Sequence, residues 1–369
     1  MSMELDKEHL REALDNFLLI SPAFDDLPAG RVALTCTLYF KNAHLPEVQE
    51  TVCKCAKEYI ALIGPEAKSS ISGSPARFHL AKNGKVTPPR VSTFRKAQES
   101  GRRPEARYCV FSHASGAEFD SLPPKFSLHI LLQLKENILP LERTTSLFSA
   151  VFAPSFFLLD RNIEEFTALV HKWCDALRPH SGVAGWGISQ QWEEMSFIST
   201  RDMCVRELLR YPGLDSPVRP LVFASDLDRF ENNIASINWL TILCDDLAER
   251  IGGEASLRAL GEGYPLSRYD GGYIIQAGPE PELGDRDEGD FLPQYGKVHD
   301  LLRPLYPPLE ELDYLASHVY DINPHTLLVN PSSNSMRNSF FESWMNRYSP
   351  DNVIIPPLFR DASPEKDEE

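Results

Sequence analysis

The chain has 369 residues, 53 acidic against 37 basic side chains, and a formal net charge of −16. That length accommodates two domains or one large one, and 42% hydrophobic residues supply a substantial core, which excludes disordered, collagenous and coiled-coil chains. The acidic balance argues against a general binder of nucleic acid or anionic membrane, because phosphates reward Lys and Arg, and it permits the reverse role of binding a basic partner.

The opening stretch MSMELDKEHLREALDNFLLI carries charge throughout and has no apolar core of a secretory signal. Its spacing predicts an amphipathic helix over 6–18 and a cytoplasmic protein. No apolar run reaches the roughly 18 residues that a membrane span needs. GRVALTCTLYF, at 30–40, is β-branched and aromatic and reads as a strand. Val48, Val52, Cys55, Ala56, Tyr59 and Ile63 then recur at helical spacing, with Gly64 as the stop. Residues 82–107 hold eight basic and two acidic side chains, net +6, with Pro, Gly and Ser and little apolar periodicity. This reads as an exposed loop of solvated charge or as an arm for an anion or a partner. Strand-like runs follow at 108–111 and 126–134.

The strand–helix order returns at 147–159 (LFSAVFAPSFFLL, strand) and 160–179, a helix with Asp160 as N-cap candidate and Pro179 as terminator. These units predict an α+β fold of mixed β-sheets flanked by helices, with two similar strand–helix halves as a distant duplication. The expected organisation is a lead-in over 1–29, a domain over 30–350 with sub-lobes 30–145 and 146–350, and an acidic tail over 351–369. GVAGWGIS, at 182–189, is glycine-rich, but it fits neither the Walker nor the dinucleotide spacing and reads as tight packing near Trp186. Residues 232–253 read as a strand leading into a helix ended by Gly252 and Gly253. Residues 268–278 read as a strand, 338–348 as a final helix, and the charged tail as disordered.

Catalytic motifs are missing: there is no H-E-x-x-H, paired C-x-x-C, G-x-S-x-G or kinase signature. No two of the ten histidines lie three or four residues apart. The seven cysteines sit mostly in apolar stretches and read as buried thiols in a reducing compartment. Cys53 and Cys55, two apart on a helix, do not share a face for a metal. The densest acidic cluster is Glu280, Glu282, Asp285, Asp287, Glu288 and Asp290, net −5 with Arg286. A calcium loop beginning at Asp285 would place Gly289 at its fifth position and Gly296 at its twelfth, so the frame fails. The cluster reads as a solvated loop or as preorganised carboxylates for the Arg and Lys of a partner. Asp226, Asp228 and Glu231 form a second, weaker acidic patch. Neither a metal nor a cofactor is expected.

The segment 271–305 resembles the signature of the type VI secretion immunity proteins of the TsiV type, on Gly272, Gln276, Ala277, Gly278, Pro281, Gly284, Asp285, Tyr295, Pro304 and Leu305. Trp239 with Gly252 and Gly253, the PGLD turn at 212–215 and the stretch 344–347 fit the same pattern, whereas the first half matches only in element order. The resemblance implies a non-enzymatic protein that binds and blocks a cognate type VI effector toxin, a nuclease with a restriction-enzyme-like or VRR-type fold. It supplies no catalytic residue, and Gly278, Gly284 and Asp285 are expected to be fold determinants. A cytoplasm-acting nuclease would present a basic cleft, so the two acidic patches are the expected contact residues, with no membrane and no direct nucleic acid as partners. The basic segment 82–107 would then face elsewhere or meet an acidic metal-binding centre of the toxin. Two alternatives remain at this level: an enzyme whose site is assembled from distant His, Asp and Glu, and a nucleic-acid-associated regulatory protein using 82–107.

Overall fold

The computed structural model describes residues 2–21, 27–73, 76–100, 105–112, 122–136, 140–190, 207–215, 231–307, 320–322, 329–331 and 346–350. Helix α1 (Ser2–Asp15) leads into β1 (Leu18–Ser21) and the long β2 (Leu27–Phe40). Helix α2 (Pro46–Ile63), the hairpin β3 (Ser69–Gly73) and β4 (Ala76–Leu80), and α3 (Val91–Ser100) follow, then β5 (Glu105–Phe111), β6 (Ser127–Gln133) and β7 (Ser146–Phe152). The chain continues through α4 (Pro154–Leu158), α5 (Ile163–Leu177), β8 (Ser181–Gln190), β9 (Leu240–Cys244), α6 (Asp245–Glu249), α7 (Gly253–Arg258), β10 (Leu266–Tyr269), β11 (Gly272–Gln276) and α8 (Pro293–Leu302). A small ribbon of β12 (Tyr320–Ile322) and β13 (Val329–Pro331) stands apart from the main sheet.

One 11-stranded sheet runs in the order β10-β11-β9-β8-β2-β7-β6-β5-β3-β4, with β1 paired to the start of β2. Its strand pairings are all antiparallel, so the fold is α+β but the expected mixed sheet is an antiparallel one. The strand–helix units are real, yet each joins strands that run in one direction without being neighbours. Helix α2 carries the chain from β2 past β7, β6 and β5 to β3, whereas α5 carries it from β7 past β2 alone to β8. The two crossovers therefore differ, and a duplication into similar halves is not evident in the strand order.

Helices α2 and α5 pack on one face of the sheet, where Leu34, Cys36 and Leu38 of β2 and Phe148, Ala150 and Phe152 of β7 are fully buried. Phe148 meets Trp173 edge-on at 5.1 Å, and Tyr59 meets Phe152 at the same distance. The polar tips find partners, as burial demands: Tyr59 Oη–H donates to the Val151 carbonyl at 2.7 Å and Trp173 Nε1–H to Glu58 at 3.1 Å. The opposite face is also buried but more polar, with Thr37 and Ser149 hydroxyls 2.9 Å apart beside His129. Burial on both faces explains why β6 and β7 show no alternation; all seven residues of each are buried.

Several local expectations shift. Strand β7 ends at Phe152 rather than 159, because Pro154 takes the first turn of α4, where a missing N–H costs nothing. Asn162, not Asp160, caps α5, accepting from the Glu164 N–H at 2.7 Å, while Asp160 pairs with Arg11 of α1. The helix expected before Gly252 is the short α6, and the pair Gly252–Gly253 both closes the turn after it and opens α7. The basic stretch is not a plain loop: its part over 91–100 is helix α3, whose Phe94 and Ala97, three residues apart, are buried. In the glycine-rich β8, a side chain at Gly185 would lie 2.2 Å from Asn238 Oδ1, so glycine here serves close packing. The expected final helix falls largely, and the acidic tail wholly, outside the described residues.

Candidate functional site

The acidic loop leaves β11 at Gln276 and returns to the sheet's periphery at Pro293, the first residue of α8. Its backbone is tied down from three directions. Trp239 Nε1–H donates to the Gly278 carbonyl and Trp186 Nε1–H to the Pro281 carbonyl, each at 3.0 Å. The Glu282 N–H donates to Tyr295 Oη at 3.0 Å, and the Gly213 N–H donates to the Leu283 carbonyl at 2.9 Å. A Cβ on Gly213 would sit 2.0 Å from the Glu282 carbonyl oxygen, so the PGLD turn and the acidic loop touch backbone to backbone. Gly284 has φ +67° and would press a Cβ against Leu292 and Pro212 at 2.8 and 2.9 Å, which leaves glycine as the residue that fits.

The tip closes on itself. Asp285 and Asp290 exchange backbone hydrogen bonds at 3.2 and 2.9 Å around a 3-10 turn at Arg286–Glu288. The Asp285 carboxylate accepts from the Asp287 N–H at 3.0 Å and receives the Arg210 guanidinium, with Nη2 at 2.8 Å. The Arg210 hydrogen bond holds its carboxyl below the usual carboxylate range, outweighing partial desolvation. Arg210 also lies 3.3 Å from Asp287. Arg347 and Tyr348 support the same cluster: Arg347 Nε donates to the Pro212 carbonyl at 3.2 Å, and the Tyr348 ring stands 6.2 Å from that of Tyr295. The PGLD turn is itself stitched to β8 by Asp215, whose N–H donates to the Trp186 carbonyl and whose carbonyl accepts from Ile188, both at 3.0 Å.

Pieces scattered over more than a hundred positions of sequence thus converge on one loop, and their shared task is to hold its backbone. A family scan matches residues 51–326 to TsiV, described as type VI immunity for VRR-NUC. The chain belongs to the TsiV family. Among solved structures it is similar to the Pseudomonas aeruginosa T6SS protein PA0821, with a TM-score of 0.70 and 18% identity, covering 94% of this chain and 91% of that one; at such identity the likeness speaks for the fold. A search of curated proteins gives no match.

Within this TsiV chain the candidate contact residues divide. Glu280, Glu282, Asp287, Glu288 and Asp290 are exposed, whereas Asp285 is turned into the Arg210 bond and is structural. Glu231 is buried at 9% exposure, and Arg143 grips both its oxygens at 2.6 and 2.7 Å, lowering its pKa through that hydrogen bond. Asp226 and Asp228 lie outside the described residues. Sequence reasoning missed Arg210 and Tyr295 as the loop's supports; Arg210 precedes the PGLD turn by a single residue, which was the available signal.

A cleft of about 900 Å³ opens where β2, α5 and β9 end, lined by Lys41, Glu47, Asp175, His180, Cys244 and Asp246 among others. Two of its groups are accounted for. Asp175 bonds His171 and the Asp270 N–H, and burial pushes the Cys244 thiol up, away from thiolate. Among the described residues no three His, Cys, Asp or Glu are grouped to hold a metal ion, and no helix is long and apolar enough to cross a membrane.

Proposed function

We propose that this protein neutralises a cognate type VI effector of the VRR-NUC class by direct binding in the cytoplasm, and that the exposed carboxylates of the 280–290 loop are a principal contact. The observation that carries this reading is the contrast within one loop. Its backbone is fixed by tryptophans, Tyr295 and the PGLD turn, while Glu280, Glu282, Asp287, Glu288 and Asp290 point to solvent. A fixed backbone lowers the cost of ordering the loop on binding, and its carboxylates offer phosphate-like charge to the basic cleft of a nuclease. Asp226 and Asp228, outside the described residues, are kept as further proposed contacts, whereas Glu231 is assigned to structure. The family's role accords with a protein that acts by contact rather than by turnover.

Charge reversal tests the reading. The triple variant Glu282→Lys, Asp287→Lys and Glu288→Lys, mixed with the purified effector nuclease, should associate about tenfold or more slowly, with a flattened salt dependence. Association at the original rate and salt dependence would remove the loop from the interface.

A further inference from the structure

Strand β4, of sequence ARFHL, forms one outer edge of the large sheet, and among the described residues nothing pairs with its outer side. The Ala81 N–H donates to the Lys68 carbonyl at 2.7 Å, which makes that pair hydrogen-bonded, and the uniform β3–β4 register alternates from there. Arg77 and His79 therefore spend their backbone groups on β3, and Phe78 and Leu80 turn theirs outward. Those two residues are also among the exposed large hydrophobics of the molecule, at 38% and 56%. Phe78 stands opposite Ile71, which belongs to a small cluster with Cys109 and Phe111, so an incoming apolar side chain would lengthen an existing row.

Edges of this kind are often blunted by a proline or a bulge, and β4 has neither. What surrounds it is positive. Arg77 lies on the strand, exposed Lys82 and Lys85 form the tight Asn83–Gly84 turn that follows it, and α3, over the neighbouring β3 and β5, carries exposed Arg95 and Lys96. Such charge opposes pairing with a second copy of the same edge and favours an acidic strand. We propose that β4 is a docking edge that takes an extended strand from a partner protein, its side chains alternating between acidic residues on the Arg77 side and apolar residues on the Phe78 and Leu80 side. This surface is separate from the acidic loop, and its test does not depend on the effector.

The probe is a short fluorescein-labelled peptide alternating glutamate and valine, titrated with the full-length protein and read by anisotropy. Its comparators are a lysine–valine peptide, the glutamate–valine peptide N-methylated at every second amide, and a labelled DNA duplex. The glutamate–valine peptide should bind best, N-methylation and the F78E/L80E variant should each weaken it about tenfold or more, and Arg77→Glu with Lys82→Glu should reverse the preference toward the lysine peptide. The charge-swapped variant keeps the test decisive if F78E/L80E does not fold, which a thermal melt reports. Equal binding of the N-methylated peptide, no binding above the lysine control, duplex DNA binding that displaces the peptide, or a dimer in sedimentation abolished by F78E/L80E would each overturn the proposal.

Discussion

Arg210 and Asp285 illustrate how a charged residue in an acidic surface loop can serve the loop's own shape. The fork of Arg210 reaches Asp285 and Asp287 together, and Asp285 in turn caps the 3-10 turn. Arg210→Met should cost roughly 1 kcal/mol or less of global stability, because the arginine is more than a third exposed and such pairs are screened. It should nevertheless accelerate amide exchange at Asp287 and Asp290, which hydrogen-exchange mass spectrometry will read. Buried histidines act on the whole fold instead. Burial lowers His129 to about 4, and burial with help from Arg347 and Arg303 lowers His299 to about 3. Asp300, 3.6 Å from His299, therefore faces a neutral ring at neutral pH. Both folded values lie below that of a free histidine, about 6.5, so on acidification the unfolded chain takes up these protons first. The stabilisation is complete above about pH 6.5 and is lost as pH falls through about 4 for His129 and about 3 for His299, by an amount on the order of a few kcal/mol. Urea unfolding across that range should show the decline, and His129→Gln with His299→Gln should shallow it.

At the scale of elements, the large packing units carry the stability. Trp173 of α5 is fully buried against Phe148 and Phe152 and spends its N–H on Glu58 of α2, so Trp173→Ala should cost about 3–5 kcal/mol and is read by the denaturation midpoint. Elements of this kind were legible from sequence: the periodic apolar positions of α2 fall on its buried face, and β2 lies where its β-branched run put it. Strands β6 and β7 were also read as strands, but other features were not legible. The dual burial of β6 and β7 erased the alternation that identifies which face is inward. The Asn83–Gly84 pair, both at positive φ between lysines that exchange backbone hydrogen bonds, is a hairpin turn that the charge of the segment concealed. In the site, the acidic residues were visible as a cluster, but composition does not distinguish Asp285 facing Arg210 from Asp287 facing mostly solvent. That distinction needs the contact partner, supplied 75 residues upstream.

At the scale of the molecule, the acidic loop and the basic turn lie far apart on the described sheet. The acidic loop follows β11 and the basic turn follows β4, eight strand spacings away, roughly 40 Å in a regular sheet. The net charge of −16 thus conceals two unlike edges of the described sheet. The sheet order also bears on how the protein is made. Strand β2 is central, yet its neighbours β7 and β8 begin only at Ser146 and Ser181. A fragment ending at 145 keeps only the short β1 beside β2, and should be insoluble or lack cooperative thermal unfolding when expressed alone. On the ribosome, at about 5–20 residues per second, β2 waits roughly seven to thirty seconds for β8 to be synthesised. Until β7 is made, an apolar strand paired only with the short β1 is exposed to whatever chaperones attend the nascent chain. Protection against a toxin would accordingly lag synthesis of the first half of this chain and depend on completion of the second.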